Sequence, residues 1–172
     1  MARASISREG IEVHRFHPIA AVGVPLLALF LQASLPLRFS WFSLFDLPLL
    51  VTIFFAVARR NQIIGTVTGC FIGLFQDSLT HQPIGLFGIA KTVIGYAASS
   101  IGVRIDVENP GSRLIMTFAF YLLHRGIYQM IARNMASLPV TWQWGHELAA
   151  ALANAVAAVF LFAFLDRLKR RN

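Results

Sequence analysis

The chain contains a single cysteine, Cys70. An internal disulfide is therefore excluded. With no ligand pattern around it, Cys70 reads as a small packing residue inside an apolar segment. Acidic side chains are also scarce: 8 Asp and Glu stand against 15 Lys and Arg. They form no paired array suited to metal-assisted lipid chemistry. A glycine-rich phosphate loop with its lysine, a serine nucleophile elbow and an HExxH pair are missing too. The expectation is a protein with no catalytic residues, no cofactor and no metal. Heptads, solenoid repeats and low-complexity tracts are absent, and no polar stretch is long enough for a separate soluble domain.

Apolar residues dominate what remains, at 56% of the chain. They fall into six segments, roughly 19–36, 42–58, 63–80, 84–103, 114–132 and 148–165. A helix needs about 20 apolar residues to cross a bilayer, with about 17 as the lower limit. If all six cross, one set of connections holds Arg3, Arg8, Arg15, Arg59, Arg60, Arg104, Arg113, Arg167, Lys169, Arg170 and Arg171. The other set holds only Arg38 and Arg133, and Lys91 and Arg125 lie inside segments. Positive residues stay on the cytoplasmic side, so both termini are expected there. The net charge of +7 then reads as flanking charge that meets anionic lipid heads, not as a nucleic-acid surface. The reading is an all-α integral membrane protein: a cytoplasmic tail over 1–18, one six-helix domain over 19–165 and a basic tail over 166–172. The acidic residues Glu9 and Glu12, and the lack of a small-x-small site, argue for a first spanning helix over a cleaved signal.

Several motifs have a physical reading. Asp46 followed by Leu47 and Pro48 marks a helix start, because Asp accepts from free N–H groups and proline fits the first turn. The helix that follows is short, so the aromatic stretch from Phe39 to Phe45 is expected to enter the membrane first. Gly65, Gly69, Gly73 and Asp77 recur every four residues and share one helix face. Gly88, Lys91, Gly95, Ser99 and Gly102, spaced three or four apart, form a similar stripe on the next helix. Small rows let membrane helices approach closely, and this spacing inside an apolar span argues against a nucleotide loop. The segment 103–112, with Pro110 and Gly111, reads as a polar loop, and 138–146, with Trp142 and Trp144, as an aromatic outer connection.

Charges at bilayer depth are costly and usually face protein and find partners. Asp46, Asp77, Lys91 and Arg125 all count to the outer half of the bundle. The expected network pairs Asp77 with Lys91 and adds Asp46 or Arg125. Its role stays open between fixing helix register, a proton or ion path, and partner contact. His124 is embedded without a second histidine or acid at ligand spacing and reads as a satisfied core or cavity residue.

From Asp46 to Pro110 the chain resembles the rod shape-determining MreD family. The resemblance rests on Asp46-Leu-Pro-Leu-Leu-Val, on Gly65-Thr-Val-Thr-Gly69-Cys-Phe-Ile-Gly73-Leu-Phe-Gln-Asp77, on Pro83-Ile-Gly85-Leu-Phe-Gly-Ile, and on Gly95-Tyr96. Cys70 beside Phe71, and Pro48 inside the opening motif, depart from the family pattern. The resemblance implies a non-catalytic component of the bacterial inner membrane that belongs to the elongation machinery. It also implies binding to MreC and a link from the MreB filament to peptidoglycan synthases. The implied fold is that of the substrate-binding subunits of energy-coupling-factor transporters. Asp46, Gly69, Gly73, Asp77 and Gly85 carry over as motif positions. The mechanism expected on that footing is a hypothesis: small-residue faces and the outer polar cluster hold or gate a groove that receives the MreC transmembrane helix. A competing reading from another class is a vitamin-like solute-binding subunit of a transporter, favoured by the outer placement of Asp46, Asp77, Lys91 and Arg125.

Overall fold

Local chemistry sets where the helices begin. Asp46 Oδ1 accepts from the Leu49 amide at 2.9 Å and Pro48 lies in the first turn, so a helix starts at Leu47. It stops where Arg60 turns left-handed at φ 50, and Asn61 opens the next helix by accepting from Ile64. Asn109 opens another, with Pro110 in its first turn. The computed structural model describes residues 18–102, 109–139 and 141–167. Its elements are α1 (Pro18–Arg38), a 3-10 turn (Ser40–Leu44), α2 (Leu47–Arg59), α3 (Gln62–Leu79), α4 (Leu86–Gly102), α5 (Pro110–Asn134) and α6 (Trp144–Asp166). No strand occurs among the described residues. Residues 1–17 and 168–172, the latter with Lys169, Arg170 and Arg171, lie outside them, as do most of the expected loop 103–112 and Arg104.

Three boundaries differ from the sequence reading, each for a local reason. α1 runs through Pro36 to Arg38, because the Phe39 amide still closes a turn onto the Leu35 carbonyl at 2.8 Å. Pro110 and Gly111 open α5 instead of lying in a loop, since a proline at the first helical position loses an N–H that had no helical partner anyway. α6 begins at Trp144, a turn before the expected 148, which places Glu147 in its first turn.

Three stretches are long and apolar enough to cross a membrane: Ile19–Arg38, Ser40–Arg59 and Trp144–Asp166; Leu86–Gly102 is apolar but shorter. α3 and α5 have the length, but glycine, threonine and polar residues dilute them. Side-chain placement bears on these helices as well. On α3, Ile63, Val67, Phe71 and Phe75 are exposed while Gly65, Gly69, Gly73 and Asp77 are buried. On α6, Leu148, Leu152, Val156, Phe160 and Phe164 point out and Ala150, Ala151, Asn154, Ala155 and Ala158 point in. A soluble protein seldom exposes such large apolar stripes. An apolar outside over a small and polar inside suits a lipid surround, where close packing replaces the hydrophobic drive.

The bundle is built around α2, in which every residue from Pro48 to Ala58 is buried. It touches each of the other five helices, while α1 packs at the edge. α3 and α4 form the most extensive pair, in backbone contact and antiparallel. A Cβ added at Gly69 would strike the Lys91 carbonyl, one at Gly73 the Phe87 carbonyl, and one at Gly95 the Gly65 carbonyl. The glycine face of α3 is thus covered by α4 and is not a free groove. Gly85 plays a different part. Its φ is +109, and a Cβ there would meet nothing within 4 Å, so it supplies a backbone angle and not a packing surface.

Cross-helix contacts sort the ends. Gln62 bonds Ser100, Gly102 abuts Val57, Phe54 meets Phe162 at 5.3 Å and Arg113 pairs with Asp166. Arg59, Arg60, Arg113 and Arg167 therefore gather at one end of the bundle. Arg38 and Arg133 close helices that end at the other.

Candidate functional site

The end opposite the basic one holds a buried polar centre. The chain between the 3-10 turn and α2 is neither helix nor strand, so its amides and carbonyls need partners inside the protein. Two side-chain amides supply them. Asn154 of α6 accepts from the Asp46 amide at 2.9 Å and donates to the Leu44 carbonyl at 2.8 Å. Gln32 of α1 donates to the Phe45 carbonyl and accepts from the Leu47 amide, both at 3.0 Å. The corner from Leu44 to Leu47 is clamped from two sides.

Asp46 is thereby fixed with Oδ1 on the α2 N-terminus and Oδ2 turned inward. Lys91 Nζ of α4 donates to Oδ2 at 2.7 Å, and the lysine is 0% exposed. The same Nζ lies 3.3 Å from Nε2 of His124 on α5, also fully buried. An ammonium has only protons to give, so Nε2 accepts and the ring proton is assigned to Nδ1. Nδ1 faces Asp46 Oδ2 at 3.8 Å, too far for a hydrogen bond, and has no hydrogen-bond partner among the described residues. Phe87 closes the centre. Its ring stacks on His124 at 5.9 Å and on Tyr128 at 4.7 Å, with Lys91 Nζ 4.9 Å from its centroid. That last contact adds a cation–π attraction to the ion pair.

The expected Asp77–Lys91 pair is not the one formed. Asp77 is fully buried, yet its carboxylate takes backbone donors. Oδ2 accepts from Gly85 at 2.9 Å and Gly88 at 3.1 Å, and Oδ1 from Phe87 at 3.0 Å. It ties the end of α3 to the start of α4 and satisfies free amides of α4. The physical reason is geometry: Asp77 lies at the end of α3 beside the α4 N-terminus, whose amides converge on its carboxylate, while Lys91 Nζ is turned to Asp46. Arg125 does not join Lys91 either. It makes a two-point pair with Glu147 of α6, at 2.8 and 2.9 Å, and Gln129 donates to the same carboxylate at 3.3 Å. Lys91 and Arg125 thus each have an acid at hydrogen-bond distance, whereas Asp77 is hydrogen-bonded by backbone amides and acts on Lys91 only through space.

Glu147, Asn154 and Gln32 escaped the sequence reading. Asn154 is a lone amide in an alanine-rich apolar helix and Gln32 a lone amide late in α1, and such residues in a span call for a named partner. Glu147 was hidden by starting α6 too late. The feature favouring solute binding, four outer charged residues, is taken up internally: Asp46 by Lys91, Asp77 by α4 amides and Arg125 by Glu147. Beside the clamped corner, Phe45, Ala149, Leu152, Ala153, Val156 and Ala157 line an apolar groove of about 570 Å³ on the outside of α6.

Residues 19–171 match the family described as rod shape-determining protein MreD. No curated protein and no solved structure matches the chain.

Proposed function

The chain belongs to the MreD family of rod shape-determining proteins, and from that membership we propose that it is a non-catalytic, multi-pass component of the bacterial inner membrane that binds MreC. Through MreC it links the cytoplasmic MreB filament to the synthases that extend the lateral peptidoglycan. The match across residues 19–171 carries this reading. Six spans with both termini cytoplasmic fit the separation of Arg59, Arg60, Arg113 and Arg167 from Arg38 and Arg133, and fit the apolar outer faces of α3 and α6. The likeness to energy-coupling-factor substrate-binding subunits belongs to the same proposal and rests on the six-helix arrangement alone.

The MreC transmembrane helix needs a small-residue face left open by the bundle. The glycine face of α3 is covered, so the docking place is moved to the α6 groove. Ala149, Ala153 and Ala157 recur every four residues there, with Phe45 as one wall. Asp46, Asn154 and Gln32 hold the corner that sets Phe45, so the polar centre acts as a positioning device for the groove. Lipids fill the remaining apolar faces, and nucleic acid has no part in this reading.

Affinity purification of the tagged protein from native membranes in mild detergent tests both levels. Recovery of MreC with wall synthases supports the morphogenesis role. Recovery of ATP-binding cassette subunits without MreC overturns it in favour of solute uptake. An Ala153→Phe variant that inserts normally and loses MreC supports the groove; undiminished MreC recovery moves the contact elsewhere.

A further inference from the structure

Where α5 gives way to α6, a pocket of about 360 Å³ is lined by Gln129, Met130, Arg133, Asn134 and Trp142. Its polar groups are unevenly committed. Trp142 has an indole Nε1–H that is buried and has no hydrogen-bond partner among the described residues. An indole nitrogen only donates, and a buried donor left unmade is costly, so an acceptor brought to it would be favoured. Arg133, exposed in the last turn of α5, makes no ion pair among the described residues. The nearby Glu147 is already neutralised by Arg125. The Gln129 amide nitrogen is turned to Glu147 at 3.3 Å and that of Asn134 to the Met130 carbonyl at 2.9 Å. Each leaves its amide oxygen as an acceptor.

One cation, one waiting donor and two acceptor oxygens complement a phosphoryl group that carries a hydroxyl or ammonium. We propose that this pocket binds a phosphoryl group, presented by the headgroup of a membrane amphiphile or by free phosphate. The surroundings are suited to an amphiphile. Met130 is 68% exposed and Trp144 66%, giving apolar surface for a chain beside the head, and Trp142 packs on Trp144 at 5.1 Å in the manner of interfacial aromatics. The C-terminal end of α5 is the negative end of its dipole. The anion is therefore held by Arg133 and Trp142 and not by the helix.

The test is a titration of the purified full chain in neutral detergent with short-chain phosphatidic acid, with diacylglycerol of the same chains, and with inorganic phosphate. Expected is saturable binding of phosphatidic acid, about tenfold weaker in Arg133→Gln and several-fold weaker in Trp142→Phe, as the loss of one charge-assisted and one neutral hydrogen bond predicts. Arg38→Gln, at another arginine of this end, leaves it unchanged. The indole Nε1–H resonance of Trp142 moves more than that of Trp41, which keeps a readout if Trp142→Phe fails to fold. Competition by millimolar phosphate identifies a free anion as a sufficient ligand; no competition assigns the site to lipid. Equal binding of diacylglycerol, or Arg133→Gln binding as wild type with Trp142 unmoved, overturns the proposal.

Discussion

Asp46 and Asp77 are both buried carboxylates at one end of the bundle, and they are stabilised by opposite means. Asp77 closes one helix directly before another opens, and three amides from Gly85, Phe87 and Gly88 surround it. Asp46 has one amide, from Leu49, and spends its second oxygen on the Lys91 ammonium. A carboxylate that caps a helix start needs no counter-charge when enough backbone donors converge on it. One that caps with a single oxygen needs a cation for the other. The Asp77 corner is therefore a local device of one hairpin. The Asp46 corner is a tertiary one, needing α1, α4, α5 and α6 together.

The largest effect separating the two corners is expected from Lys91→Met. It leaves the Asp46 carboxylate buried without its cation, which costs about 3–5 kcal/mol. Thermal unfolding of the purified protein, or its steady-state level in membranes, reads this. The exchange Asp77→Lys with Lys91→Asp is expected to give no rescue, because those residues do not pair. A rescue would break the comparison.

Next comes Gly73→Val, which forces side-chain atoms into the Phe87 carbonyl and the Gly88 Cα. Neither is a flexible tip that can swing away, so overpacking of about 3 kcal/mol is expected, with α3 and α4 separating in cysteine cross-linking. Asp77→Asn keeps the two-acceptor geometry on one oxygen and is expected to cost less, about 1–3 kcal/mol for amides left short of an acceptor. If it equals Lys91→Met in the same unfolding assay, the Asp77 corner depends on charge after all. Asn154→Leu leaves the Asp46 amide and the Leu44 carbonyl unpaired and falls in the same range of about 1–3 kcal/mol. If MreC docks in the α6 groove as proposed, Asn154→Leu should also lower MreC recovery, unlike Asp77→Asn, because it frees the corner that holds Phe45. The smallest effect is expected for Gly85→Ala, about 1–2 kcal/mol from the φ of +109 alone, with no clash.

Much of the local structure was legible. Asp46 with Pro48 gave a helix start because the cap is a contact between residues three apart. The four-residue glycine spacing gave a close-packed face because a helix repeats its faces by geometry. The polar partners were less so. The Asp77 carboxylate and the Lys91 ammonium share one end of the bundle, and counting residues suggested a pair. Whether they meet depends on helix rotation and on which donors lie against each carboxylate, and residue counts carry neither. Glu147 went unread because α6 begins a turn early, at Trp144. Asn154 went unread because its partners, Leu44 and Asp46, lie more than a hundred residues away in the chain.

By itself the sequence determined the helical class, the apolar segments, the separation of basic residues and the caps, since each follows from neighbours along the chain or from a simple period. It also carried the family, through ordered motifs from Asp46 to Pro110. Only the tertiary structure decided that Lys91 answers Asp46, that Arg125 answers Glu147, that the glycine row of α3 is spent on α4, and that the alanine row of α6 is left open. Those outcomes turn on how helices are rotated and stacked against one another. That is a global balance of packing and polar satisfaction, and no local pattern encodes it.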